Sequence, residues 1–330
     1  MALGLGLLLP TTLAFMPTGA SIRFAPKEGL TLTKTFVQKS VATLDSVELT
    51  MGDESQEVEE VPEIKIDSTE TIVFEDTYTG MGDGRPTKLT RKYEELGRTR
   101  DQSTPDEDIS TEESSELADL TVIYSWDDDD EVFTVAFDDD SDGDEDLLEP
   151  TWCDADLLGF LPEGEVDEGD TWDVEIDAWR HVLEPGGDLT FLDEDGESNS
   201  DEIDDEISES LDGDIECEFK GFREEDDVRV AVIAVTIELT GEGDLESELE
   251  VEDEHLTSAT QTRTVSIDTE LEGELLWDVA AGHMVSFSAV GETTVEMNEG
   301  LVLEIDTGDT WDQAQLLTFS SEVELEFTFE

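Results

Sequence analysis

Apolar and polar residues alternate along most of this chain. Leu30, Leu32 and Phe36 share one phase of a period-2 run, with Thr31, Thr33 and Thr35 in the other. The same spacing recurs in Ile64-Lys65-Ile66, Ile72-Val73-Phe74, Leu89 to Tyr93, Leu120 to Trp126, Val132 to Phe137, Trp172 to Ile176 and Val228 to Leu239. It returns in Thr264 to Asp268, Leu271 to Trp277, Met284 to Val290 and Val323 to Phe329. Successive side chains of a strand point to opposite faces, so each run predicts a strand with one buried and one wet side. In the last run Val323, Leu325, Phe327 and Phe329 share one face, and Glu322, Glu324, Glu326 and Glu330 the other. This is the pattern of an antiparallel sheet with one solvated face.

Helical signals are few. Asp154 to Leu161 predicts two turns capped by Asp154 and stopped by Pro162. Asp106 to Ala118 is polar and predicts a flexible loop or linker. Asp193 to Gly213 is mostly Asp, Glu, Ser, Asn and Gly, and mutual carboxylate repulsion favours a disordered loop. A weak helix through Ile203, Ile207 and Leu211, spaced four apart, is the alternative. Gly169-Asp170-Thr171-Trp172-Asp173 recurs as Gly308-Asp309-Thr310-Trp311-Asp312. It reads either as a repeated turn into a strand or as the mark of two related halves.

Charge changes the picture next. The formal net charge is −76, from 92 acidic and 16 basic residues among 330. Residues 1–100 hold 11 Lys/Arg against 16 Asp/Glu, whereas residues 101–330 hold 5 against 76. Such a surface repels nucleic acid and anionic headgroups and attracts cations and basic partners. Solubility in a salty medium is the simpler reason for the same acidity.

The stretch Ala2 to Ala20 is uncharged and rich in Leu, and ends in small residues before Ser21. It predicts a signal peptide over residues 1–20, and hence export to a periplasmic or extracellular space. No basic residue precedes the apolar run, and a spanning helix, the other reading, is disfavoured by Pro10, Pro17 and three Gly. In an oxidising compartment Cys153 and Cys217 are candidates for one disulfide, the alternative being two buried thiols.

The sharpest chemical motif is Asp138-Asp139-Asp140-Ser141-Asp142-Gly143-Asp144-Glu145-Asp146-Leu147-Leu148-Glu149, which fits the calcium-loop spacing D-x-D-x-D-G-x5-E. Asp138, Asp140 and Asp142 offer carboxylate oxygens, Asp144 its carbonyl and Glu149 a bidentate carboxylate to Ca²⁺. Over these twelve residues the chain resembles the calcium loop of the EF-hand family. It departs in having a strand before the loop, Glu145 at an apolar position and Pro150 directly after. A second cluster, Asp127 to Glu131, reads as the turn of a hairpin. The strand between the clusters is six residues long, about 20 Å when extended, so the clusters lie at its opposite ends. His181, His255 and His283 are isolated, and no nucleophile elbow, P-loop or dinucleotide fingerprint occurs.

Phe24 to Leu30, Leu161 to Trp172 (LP…V..GDTW) and Leu271 to Asp278 together resemble a group of exported bacterial proteins of uncharacterised function. More loosely they resemble the half-barrel of lipoprotein carriers. The resemblance implies export and a curved antiparallel sheet around an apolar cavity, and brings no catalytic residues.

The sequence therefore predicts a mainly β protein: a curved antiparallel sheet or half-barrel, in two related halves (21–150 and 151–330), with few short helices and acidic loops. Its expected function is that of an exported acidic non-catalytic protein binding Ca²⁺, other cations or basic partners. Two alternatives stand beside it, a carrier-like half-barrel for an apolar ligand or lipid and a hydrolase using paired carboxylates.

Overall fold

The computed structural model describes residues 19–52, 54–82, 84–193, 195–196, 202–225, 228–248, 256–305 and 310–330. Most of the expected signal peptide, residues 1–18, lies outside the described residues, as do Gly308 and Asp309 of the second GDTW stretch. The strands are β1 (Ala20–Ser21), β2 (Thr31–Met51), β3 (Glu54–Glu57), β4 (Lys65–Gly82), β5 (Arg85–Ser103), β6 (Asp108–Ser115), β7 (Thr121–Asp127) and β8 (Val132–Phe137). They continue with β9 (Glu165–Val166), β10 (Thr171–Asp173), β11 (Phe191–Leu192), β12 (Asp212–Glu225), β13 (Val228–Glu248), β14 (Leu256–Asp278), β15 (His283–Ile305) and β16 (Thr310–Phe329). Two helices, α1 (Asp177–Leu183) and α2 (Glu202–Ser210), join them.

One 14-stranded antiparallel sheet dominates, in the order β10-β12-β13-β14-β15-β16-β2-β4-β5-β6-β11, with β3 beside β2 and the β7–β8 hairpin beside β5. The sheet is open. Its strands are long, up to 23 residues in β14 and β15, roughly 75 Å at the usual rise. The two sequence halves are joined in it by the pairing of β16 with β2, Phe327 opposite Phe36.

The sheet curves around an inner segment, residues 148–192. Val174 N–H donates to Ile215 of β12 at 2.9 Å, and Phe160 stacks on Phe287 of β15 with centroids 6.1 Å apart. Asp156 meets Lys34 of β2 and Tyr78 of β4, and the Leu189 carbonyl accepts from Ser115 of β6. β12 and β6 lie eight lanes apart, roughly 38 Å on a flat sheet. One short segment touches both because the sheet bends around it. The concave face and this segment form a single core that includes Phe36, Phe74, Phe160, Val182, Phe287 and Phe327, each at most 1% exposed. The boundary expected near residue 150 thus falls where the chain turns inward to fill the curve.

The N-terminal stretch closes the core from another side. β1 pairs with β9, Ala20 opposite Val166, so the expected cleavage point before Ser21 lies inside a paired strand. Ile22 and Phe24 are buried, and Phe24 meets Tyr78 and Trp277 edge to face.

Three local expectations are corrected. The stretch expected as a loop, 106–118, contains β6, held to β5 by register pairs such as Gln102↔Ile109 and by Ser110 Oγ donating to Asp101 at 2.6 Å. Asp154 caps no two-turn helix. Its carboxylate accepts from Asp156 N–H at 2.9 Å, and only a 3-10 turn, Leu158–Phe160, follows. Within the stretch expected to be disordered, Glu202–Ser210 is helical. Ile203 and Ile207 pack over Gly241 and Gly243 of β13, where any Cβ would come within about 3 Å of them. Ser210 Oγ and Glu206 Oε2 accept from the edge amides of Glu242 and Asp244, both at 2.8 Å. Docking on a glycine-cleared strand outweighs the carboxylate repulsion that disfavours the helix in isolation.

Candidate functional site

Three constellations of charge stand out: a buried network, a largely buried carboxylate pair, and an acidic exterior that includes the predicted calcium loop.

Alternation along β2, β4 and β5 places Lys34, Asp76, Tyr78, Arg91 and Tyr93 on the concave face, where an apolar residue would ordinarily sit. Lys34, Asp76, Tyr78, Arg91 and Tyr93 are all at 0% exposure and Asp156 at 1%. Lys34 Nζ lies 2.9 Å from both Asp76 Oδ2 and Asp156 Oδ1. Arg91 holds Asp76 in a fork, Nε to Oδ1 at 2.8 Å and NH2 to Oδ2 at 2.9 Å. Its other donors reach the Trp152 and Cys153 carbonyls at 3.1 Å. Tyr78 O–H donates to Asp156 at 2.8 Å. Two cations meet two anions, and no buried side-chain polar atom of the cluster is left without a partner, the condition under which a buried ion cluster is tolerated. Burial pushes the Lys34 ammonium toward neutrality, but Asp156 and Asp76 beside it outweigh this and hold it above its ordinary value. Burial likewise raises Asp76, and Arg91 with Lys34 overcomes it to leave that carboxyl below the usual range. Sequence reading missed this cluster; its one visible signal is Lys34, Asp76 and Arg91 in the apolar phase of their strands. It pins the inner segment to the sheet. Its side chains are at most 2% exposed.

Nearer the mouth, Arg98 bridges Glu70 and Glu113. Its Nε lies 3.0 Å from Glu70 Oε2, and its NH1 lies 3.7 Å from Glu113 Oε2. Gln38 donates to Glu70 and to the Val182 and Leu183 carbonyls. Burial raises the Glu70 carboxyl above its ordinary value, with Arg98 opposing. Paired acids with one raised value are what a hydrolase uses. Here a guanidinium occupies the space between them.

The predicted calcium-loop residues stand on the exterior. Asp140, Asp142, Asp144 and Glu149 are exposed and Asp138 is half-buried. The Asp144 side chain caps the 3-10 turn Glu145–Leu148 by accepting from Asp146 N–H at 3.1 Å. The Asp144 carbonyl, expected as a ligand, accepts from Leu147 N–H at 3.2 Å. Among the described residues no three His, Cys, Asp or Glu side chains gather as a metal site. Beside the loop lies a groove of about 660 Å³, with Val135 and Phe137 on one side and Asp138, Asp142, Glu145 and Glu149 around it.

The two cysteines form no disulfide. Both are buried free thiols, Cys153 beside Arg91 and Cys217 on β12 opposite Trp172 and Val235. Burial pushes both thiols up, Cys217 to about 12, so neither is poised to react.

On the convex face, register stacks like charges. Asp214, Glu238, Glu270, Glu292 and Glu322 lie directly opposite one another across β12, β13, β14, β15 and β16. All five are exposed, at the roughly 4.8 Å spacing of neighbouring strands. Like charges directly opposite destabilise a sheet. Arg223, which bridges Glu225 and Glu274, is a local exception. The concave face beyond the inner segment differs. There Ile267, Val295, Phe319 and Leu44 form one row and Val265, Met297, Leu317 and Val47 the next.

No protein-family model matches the chain, and no curated protein does. Among solved structures, OmpT, an outer membrane protein of Vibrio cholerae, aligns at 9% identity over 92% of this chain and 100% of its own, with a TM-score of 0.14. Pseudomonas aeruginosa OpdQ aligns at 7% identity over 88% and 98%, TM-score 0.15, and Acinetobacter baumannii OccAB4 at 8% over 90% and 99%, TM-score 0.12. Scores at this level carry no argument for fold or function. No helix among the described residues is long and apolar enough to cross a membrane, which says nothing of a β-barrel.

Proposed function

We propose that this is an exported, non-catalytic binding protein that takes up cations, Ca²⁺ among them, and basic partners on its carboxylate-coated exterior. The observation that carries the reading is the five-strand row Asp214–Glu238–Glu270–Glu292–Glu322. A row of facing anions is costly unless counter-ions settle on it, and cations bridging adjacent strands relieve that cost. The Asp138, Asp140, Asp142 and Glu149 side chains add a second place for Ca²⁺ by their spacing. Export rests on the apolar, uncharged stretch before Ser21. Equilibrium dialysis against Ca²⁺ in moderate KCl tests the function. Wild-type protein is expected to hold Ca²⁺, with part lost in Glu270→Gln/Glu292→Gln and a separate part in Asp140→Asn/Asp142→Asn. Absence of Ca²⁺ uptake, or uptake unchanged by both pairs, overturns it.

A second reading, the binding of an apolar ligand or lipid, is favoured by the two apolar rows on the concave face. They are bordered by Thr269, Thr293 and Ser321 on one side and by Arg263, Glu299 and Gln315 on the other. A fluorescent fatty-acid probe displaced by no apolar ligand, and unaffected by Phe319→Asp, counts against it.

A further inference from the structure

The two acidic clusters flank a strand whose outer edge is open. β8 pairs with β7 alone. Asp138 N–H donates to the Thr121 carbonyl at 2.9 Å, continuing the hairpin ladder past Phe137. Bonded and non-bonded pairs alternate along an antiparallel ladder. Val132, Thr134 and Ala136 therefore turn their backbone groups toward β7, and Phe133, Val135 and Phe137 turn theirs outward. Parts of other edges of this sheet are met: α2 satisfies the amides of Glu242 and Asp244, and residues 169–174 bond to β12. Among the described residues no backbone hydrogen bond from outside the hairpin meets Phe133, Val135 or Phe137, and the 3-10 turn Glu145–Leu148 lies beside the strand across the groove. The β8 side chains alternate between exposed and half-buried, and Val132 is 52% exposed.

What flanks this edge narrows the partner. The turn Asp127 to Glu131 stands at one end and the loop from Asp138 to Glu149 at the other, about 20 Å apart along the strand. The acid-rimmed groove beside Val135 and Phe137 opens at the second end. An added strand forms main-chain hydrogen bonds with an open edge and takes its specificity from pockets for alternate side chains. A second copy of β8 would set acid clusters against acid clusters, which like-charge repulsion disfavours.

We propose that the outer edge of β8 is a docking site for an extended segment of a partner polypeptide. That segment pairs with Phe133, Val135 and Phe137 and carries Lys or Arg at both ends to meet Asp127–Glu131 and Asp138–Glu149. The inference rests on the acidic-binding reading and names the partner for one place on that exterior. The basic ends speed encounter, and the ladder bonds hold the complex.

The test is fluorescence anisotropy with a labelled synthetic peptide of alternating Thr and Val between Lys pairs, alongside the same peptide N-methylated on the residues that would donate. On the protein side, Val135→Pro removes an outward donor without touching the β7 ladder, a change edge strands accept. Circular dichroism checks its fold. The expected result is saturable binding that weakens at least tenfold on N-methylation and on V135P, and weakens with added salt. Equal binding of both peptides overturns the edge docking but leaves a charged exterior standing. Binding of neither, even in low salt, overturns the edge docking, while Ca²⁺ dialysis decides the exterior reading separately. Self-association of the protein alone that V135P abolishes makes a second copy the occupant and also overturns the proposal.

Discussion

Removing Lys34 tests the energetics that hold the inner segment in place. Its ammonium is 2.9 Å from two carboxylates, with all three side chains almost fully buried. Lys34→Met keeps the volume of the stem and deletes the charge. Asp76 still has the Arg91 fork, but Asp156 keeps only the Tyr78 hydroxyl and the network carries an uncompensated negative charge. Breaking a buried pair in this way costs about 3–5 kcal/mol. For a chain of this size each kcal/mol moves the melting temperature by about 1.5 °C, so the expected drop is about 4–7 °C. Asp156→Asn should cost a similar amount by leaving one positive charge unmatched. The double variant Lys34→Met/Asp156→Asn restores neutrality, with Asp76 and Arg91 still paired, so its loss should fall well below the sum of the two. Urea unfolding followed by circular dichroism, in high salt to damp surface repulsion, measures all three. Additive losses, or a Lys34→Met loss under about 1 kcal/mol, would refute the reasoning.

The Glu70 carboxyl sits above its ordinary value of 4.5, so the native state retains a proton that the unfolded chain has released. Stability from this group is therefore lost as pH rises from 4.5 through the folded value. Glu70→Gln should flatten that part of the stability curve relative to wild type, and parallel curves would contradict it. Glu270→Gln/Glu292→Gln should raise the urea midpoint in low salt by relieving facing charges, with the gain disappearing at about 1 M KCl; a gain independent of salt would point to some other cause. Gly243→Ala places a methyl 2.9 Å from the Ile203 carbonyl, so it should displace α2. The Glu242 and Asp244 amides should then exchange faster, with the rest of the sheet unchanged; unaltered exchange at both would contradict the docking account.

The strands were legible because their apolar residues keep strict alternation, and Val323 to Phe329 does so through to the end of β16. β6 was hidden because Asp108 to Ser115 offers only one large apolar residue, Ile109, and its pairing is set by β5. α2 was visible only as the weaker alternative, through the spacing of Ile203, Ile207 and Leu211: its charges argue against a helix, and the space that receives it belongs to Gly241 and Gly243, far away in sequence. The acidic exterior was visible strand by strand, yet the alignment of five carboxylates depends on register between strands, which no single run displays. The buried network left only misplaced charges on β2, β4 and β5, and their partner Asp156 lies on a segment with no regular pattern. The cysteines followed the alternative of two buried thiols: Cys153 lies where Arg91 bonds its carbonyl, and Cys217 lies on β12 opposite Trp172 and Val235.

The central claim is that the curve of the sheet where residues 148–192 lie is filled by the protein's own chain. Native-state hydrogen exchange read by mass spectrometry tests this most directly. Amides of Trp152 to Phe160 and Trp179 to Leu189 are expected to be protected as strongly as those of Ile233 to Leu239 in β13. Exchange of those inner amides within seconds, while β13 stays protected, would show that the segment leaves the sheet and that the concave face is open to a ligand.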